Sequence, residues 1–214
     1  MRRLIAAATS IALSASLAHA GEVRVQVVDV DGHPIADAVV SLSPMGDKPA
    51  RAVRPVTRYV DQKDQTFIPY VTALHPGDSV VFRNSDEIDH QVYSVSDIAR
   101  FEFVLDTNES SKPLKVDKTG VAAVGCNIHD RMLTYLYVTK DPDVVVTDAK
   151  GEARMDGVPA GHYTAHAWHP QLRPAITLPI QDFTVGAGGG TLRFIVAPLL
   201  PDPRTAMDRT SLGS

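Results

Sequence analysis

The chain has 214 residues, of which 44% are hydrophobic, 21% charged and only 6% aromatic, and its formal charge is −4. That balance excludes the basic, aromatic-studded face of a nucleic-acid binder. It also offers no apolar run long enough for a lasting bilayer span, because Leu4 to Leu17 is too short and the run ending at Ile195-Val196-Ala197 is interrupted by Arg193 and followed by Pro198.

Residues 1–20 have the three parts of a secretory signal peptide: Arg2 and Arg3, the apolar run with only Thr9, Ser10, Ser14 and Ser16 to relieve it, and Ala18-His19-Ala20 before Gly21. Export to the periplasm is therefore expected. Removing the segment leaves 19 basic against 25 acidic residues, a charge of −6. Glu22-Val23-Arg24-Val25-Gln26-Val27 then alternates with period two, and the turn Asp29-Val30-Asp31-Gly32-His33-Pro34 leads to Ala38-Val39-Val40-Ser41-Leu42, a hairpin-like opening. From Pro44 to Arg58 no apolar face repeats, which reads as an irregular crossing.

Strands are expected at Thr66 to Tyr70, Val71 to Leu74, Ser79 to Asn84 and from His90 to Tyr93, with the turn His75-Pro76-Gly77-Asp78 among them. Ser96 to Arg100 has room for one helical turn. Phe101 to Leu105, Leu114 to Val116, Val121 to Gly125 and Met132 to Thr139 continue the strand pattern, so Cys126 to Arg131 forms a compact loop between two strands. Beyond Lys140, Val144 to Val146, Glu152 to Met155, His162 to Trp168, Thr184 to Val185 and Leu192 to Val196 suggest a further small antiparallel assembly, followed by a loose tail. The fold class is all-β.

Cys126 is the single cysteine of an exported chain, so an intramolecular disulfide is excluded. An inert thiol, a dimer disulfide, a nucleophile and a metal ligand are the alternatives, and the neighbours discriminate. Cys126-Asn127-Ile128-His129-Asp130-Arg131-Met132 puts a thiolate, an imidazole and a thioether on one loop at C-x2-H-x2-M spacing, and His90 at a strand start supplies a second imidazole. Copper cycling between two oxidation states suits a thiolate, two imidazoles near a trigonal plane and a weak axial thioether. Zinc is the competing metal, with Asp130 as a fourth donor, but methionine is a poor zinc ligand.

This constellation resembles the cupredoxin or blue-copper family, especially its plastocyanin- and amicyanin-like members, over roughly Tyr59 to Thr139. The matching segments are Leu74-His75-Pro76-Gly77-Asp78-Ser79-Val80-Val81-Phe82-Arg83-Asn84, Asp89-His90-Gln91-Val92-Tyr93-Ser94, Gly120-Val121, and Gly125 through Met132. The resemblance implies a cupredoxin-like Greek-key β-sandwich with one type 1 copper per chain, held by His90, Cys126, His129 and Met132, with Asn84 hydrogen-bonding near the thiolate and steadying the ligand loops. Asp130 and Arg131 depart from the family pattern, in which a small residue or proline follows the loop histidine. The segments Val25 to Val40 and Thr147 to Tyr163 resemble the opening and close of a carboxypeptidase regulatory-like β-sandwich, and the whole chain resembles proteins associated with methylamine utilisation. The implied organisation is a signal peptide at 1–20, the first part of the regulatory-like sandwich and a linker at 21–58, a copper unit at 59–139, the second part of the regulatory-like sandwich at 140–197 and a flexible tail at 198–214.

His162, His166 and His169 form a second histidine patch, read as a solvated strand and turn, with metal binding as the alternative. His33 and His75 sit in turns and read as local hydrogen-bonding residues. Asn108-Glu109-Ser110 matches a glycosylation triplet and signals only a surface loop. No nucleotide loop, metalloprotease motif or serine elbow is present, so the chain is not expected to be an enzyme. The expected function is single-electron transfer between periplasmic redox proteins such as a dehydrogenase or a cytochrome, with His129 at the partly apolar exit. A copper-delivery module is the alternative.

Overall fold

The computed structural model describes residues 20–46, 51–129, 131–173 and 179–205. Residues 1–19 of the expected signal peptide, Asp130 and the last part of the expected tail lie outside the described residues. The chain is all-β, and among the described residues the one helical element is the single 3-10 turn Pro203–Thr205. No helix among them is long and apolar enough to cross a membrane.

β1 (Ala20–Val28) and β2 (Val39–Pro44) come first. They are followed by β3 (Thr57–Lys63), β4 (Thr66–Ile68), β5 (Val71–Leu74), β6 (Ser79–Asn84), β7 (His90–Ser96), β8 (Ala99–Leu105), β9 (Leu114–Lys115), β10 (Gly120–Cys126) and β11 (Leu133–Val138). The chain closes with β12 (Asp143–Val146), β13 (Glu152–Pro159), β14 (Gly161–Trp168), β15 (Ile180–Val185) and β16 (Gly190–Ile195).

The first and last strands interleave. β1 lies between β13 and β16, while β2 lies between β12 and β14 with β15 beyond. Alternation along β1 turns Val23, Val25 and Val27 inward, and alternation along β14 turns Tyr163, Ala165 and Ala167 to meet them, so the two sheets close over one core. The strands from β3 to β11 form two further sheets, β5-β11-β10-β7-β8 and β4-β3-β6-β9. These enclose a separate core that includes Val60, Phe67, Phe82, Val92, Val124 and Leu136. Connections cross repeatedly from one inner sheet to the other, as in a Greek-key sandwich, and bring β3 beside β6 and β5 beside β11 in parallel pairs.

Two local expectations are corrected. The opening strands do not form a hairpin: β1 pairs with β13 and β16, whereas β2 pairs with β12 and β14 in the opposite sheet. The turn at Asp29 to Pro34 therefore carries the chain across the core. Ser96 to Arg100 makes no helical turn, because Asp97 and Ile98 are the tip of a hairpin whose ladder runs from His90 opposite Leu105 to Ser96 opposite Ala99. A continuous cross-strand ladder outweighs the weak helical preference of so few residues.

The inner and outer sandwiches meet through an aromatic layer. Trp168 of β14 packs on Tyr135 and Tyr137 of β11, at ring-centroid distances of 6.0 and 5.1 Å. Tyr70 meets Tyr135 edge-on at 5.5 Å, and the Arg204 guanidinium covers the Tyr70 ring at 3.4 Å. Arg204 is itself held by Asp202 at 2.6 Å, so residues 202–205 of the segment expected to be loose lie against the body. His75 Nε2 bonds the Asp141 carbonyl at 3.0 Å, and the Asp141 carboxylate accepts from Ser41 and Ser43, which ties the return crossing to both sandwiches.

Candidate metal centre

The antiparallel pairing of β10 with β7 places Cys126 opposite Val92, at the end of one strand and near the start of the other. Residues opposite each other, and residues two apart along a strand, share a face. Cys126, Val92 and His90 therefore all point into the inner core, where His90 is 0% and Cys126 6% exposed. The loop after Cys126 is closed by backbone bonds. The Cys126 amide donates to the Met132 carbonyl, the Met132 amide to the His129 carbonyl and the Asn127 amide to the Gln91 carbonyl. This closure folds His129 back over the thiol and sets Met132, buried in the same core, beside Cys126.

Cys126 Sγ lies 3.6 Å from His90 Nδ1 and 3.8 Å from His129 Nδ1. The two rings are 5.1 Å apart and inclined at 61°. An ion about 2.3 Å from a sulfur and about 2.0 Å from a nitrogen, with an angle of about 110–120° between them, separates those two ligand atoms by about 3.5–3.7 Å. The spacing of the three donors thus fits a single first-row metal ion. Of the four residues expected to bind metal, the geometry brings His90, Cys126 and His129 together by their ligand atoms, with Met132 placed alongside by its backbone. A buried thiol and thioether make the donor set soft, which fits copper better than the hard cations bound by carboxylates.

Asn84, 2% exposed, braces this end of the sandwich. Its Nδ2 donates to the carbonyls of Ile88, Leu105 and Asp106, and its Oδ1 accepts from the Asp86 amide. Those bonds tie together the loop that delivers His90 and the end of β8, and they run to these backbone groups and not to the neighbourhood of the thiol, where the resemblance placed one. A residue missing from the sequence-based site is Asp86, whose carboxylate lies 2.8 Å from His90 Nε2. The same carboxylate accepts the amides of Asp64 and Gln65, two residues at positive φ in the β3–β4 turn. Burial raises the Asp86 pKa, but the bonds from Gln65, His90 and Asp64 outweigh it and hold the group below its ordinary value.

His129 is only partly buried and opens on a depression of about 600 Å³, also lined by Asp64, Gln65, Ile128, Arg131 and Leu133. Ile128 is 55% exposed there, so the surface beside the histidine is part apolar and part charged. The second histidine patch does not converge on a metal site. His162 bonds Thr184 Oγ1, His166 contacts Ser43 Oγ, and His169 is buried instead of solvated, its Nδ1 accepting from the Gln171 amide. His33 bonds Asp29 in its turn, and this exposed group with Asp31 is the other donor cluster among the described residues.

No protein-family model and no curated protein matches the chain. Among solved structures it is similar to amicyanin from Paracoccus versutus (Thiobacillus versutus), at 15% identity and a TM-score of 0.34 over 46% of this chain and 98% of that one. A purple cupredoxin from Nitrosopumilus maritimus is similar at 16% identity and a TM-score of 0.34, over 38% and 98% of the two chains. A Cu-containing nitrite reductase (NirK) from Thermus scotoductus is similar at 23% identity and a TM-score of 0.36, over 46% of this chain and 25% of that one. The donor geometry, and not these partial likenesses, defines the site.

Proposed function

We propose that the chain is an exported type 1 copper protein that passes single electrons between periplasmic redox partners. The observation that carries this reading is the convergence of the Cys126 sulfur with the Nδ1 atoms of His90 and His129 at 3.6 and 3.8 Å. Copper bound there supplies a one-electron couple. In this reading Cys126, His90, His129 and Met132 would hold the ion, Met132 as the weakest donor of the set. The inner sandwich, residues 59–139, is the copper unit, and residues 21–58 and 140–197 build the second sandwich around it. The strands under His90 and Cys126 hold both donors in place, which would suit an ion that changes oxidation state with little rearrangement. His129 turns one ring edge towards the surface depression, where a redox protein can approach it.

The test is reconstitution of the purified protein with Cu(II), followed by visible and electron-paramagnetic spectra and a reductive titration. One copper per chain, an intense thiolate-to-copper band and reversible bleaching are expected. Cys126→Ser should abolish the band. Stoichiometric copper without the band, or copper surrendered to a Cu(I) chelator on first reduction, would favour copper delivery over electron transfer.

A further inference from the structure

The Asp86 carboxylate sits behind His90, on the side of the ring away from Cys126. It is tightly enclosed: the His90 side chain is 0% and the Asp86 side chain 10% exposed. Its oxygens receive two backbone amides, from Asp64 and Gln65, and face His90 Nε2 at 2.8 Å. Backbone amides only donate, so both Asp86 oxygens already act as acceptors, the arrangement that suits an ionised carboxylate. An ionised carboxylate in turn requires a donor at Nε2, which leaves the lone pair of His90 on Nδ1, facing the Cys126 sulfur.

We propose that Asp86 is a positioning residue that fixes the His90 tautomer for metal binding and lowers the reduction potential of the site. Two effects act together. The bond prevents the ring from rotating or exchanging tautomers, and the charge behind the imidazole makes Nδ1 a stronger donor. Negative charge close to a metal favours its higher oxidation state. The β3–β4 turn holds that charge in place, because the amides of Asp64 and Gln65, at φ values of 52° and 54°, both point at it. This role rests on the copper reading above.

Two measurements separate the claims. In metal-free wild-type protein, nitrogen-15 chemical shifts should show His90 protonated at Nε2; protonation at Nδ1 would overturn the positioning role whatever the protein does with copper. In the copper-loaded protein, Asp86→Asn should keep the thiolate band while the equilibrium between Cu(I) and Cu(II) shifts at least tenfold towards Cu(I), a rise of about 59 mV for one electron. Cu(II) affinity should fall about 10–100-fold. A purely structural Asp86 would lower stability and leave the potential where it was, and an unchanged or lowered potential overturns the tuning role. Should Asp86→Asn not fold, Asp86→Ala in metal-free protein gives a second reading: its His90 should lose the single tautomer, and retention of it would overturn the proposal. A wild-type protein that gives no thiolate band overturns the copper reading and the tuning role with it, while the tautomer result stands separately.

Discussion

Asn84 supports the candidate metal centre without offering it a donor atom. Its side chain satisfies three carbonyls and one amide at the junction of β6, the loop before His90 and the end of β8. Asn84→Ala removes these bonds, the buried one to the Leu105 carbonyl among them, and should cost about 1–3 kcal/mol of stability. Denaturant unfolding of the metal-free protein measures it: the midpoint falls with little change in slope, whereas a loss below about 0.5 kcal/mol would show that water or local relaxation replaces the bonds. The cluster of His90, Cys126 and His129 was legible in the sequence because these residue types are scarce and their chemistry specific. One cysteine, with histidine three residues on and methionine three further, leaves few readings. Asp86 was not legible, since Asp86, Glu87 and Asp89 all precede His90 and their local sequence does not say which carboxylate folds back. That choice is made by the amides of a turn more than twenty positions earlier.

At the scale of elements, the sequence showed where strands lie better than which strands pair. Alternation in Glu22 to Val27 and in Ala38 to Leu42 is local information, and both segments are strands. Their partners lie in the last third of the chain, where Val25 opposes Ala153 and Leu192, and Val40 opposes Val145 and Ala167. No local pattern encodes such a register. The turn after β14 shows the same limit, because His169 sits in a polar-looking sequence yet is 4% exposed. Burial brings its pKa down from the ordinary 6.5 to about 4, against a smaller upward push from a bond to the Ala36 backbone. The folded state thus binds the proton less readily than the unfolded chain, so His169 adds nothing to pH dependence above about pH 7 and costs stability as the pH falls from 6.5 towards 4. Linkage gives a loss of about 2 kcal/mol by pH 5 and roughly 3 kcal/mol at the limit. Urea unfolding at pH 7.5 and pH 5 should show this loss in the wild type and its absence in His169→Gln. Equal pH dependence in the two proteins would place the titration elsewhere.

For the whole molecule, the question is whether two sandwiches threaded through each other unfold as one. Each has its own core, and among the described residues the strands of one give way to those of the other after β2 and before β12. Few covalent crossings would allow independent unfolding if the contact were thin. It is not thin: Trp168 lies against two tyrosines of β11, Arg204 covers Tyr70, and Asp141 joins His75 to Ser41 and Ser43. The wild type should therefore give one calorimetric transition with equal calorimetric and van't Hoff enthalpies. Trp168 is the single tryptophan and the largest side chain in the layer, so Trp168→Ala removes both of its ring contacts at once. Because its ring is only partly buried, the loss should be about 2–3 kcal/mol, below that of a fully enclosed aromatic. The loss falls on the contact and not on either core, so the variant should unfold in two steps, one sandwich before the other, seen as two calorimetric peaks or a van't Hoff enthalpy well below the calorimetric one. A wild type that already melts in two steps would show that the aromatic layer aligns the sandwiches without coupling their stability; a variant that keeps one step would place the coupling in the Asp141 and Arg204 contacts instead.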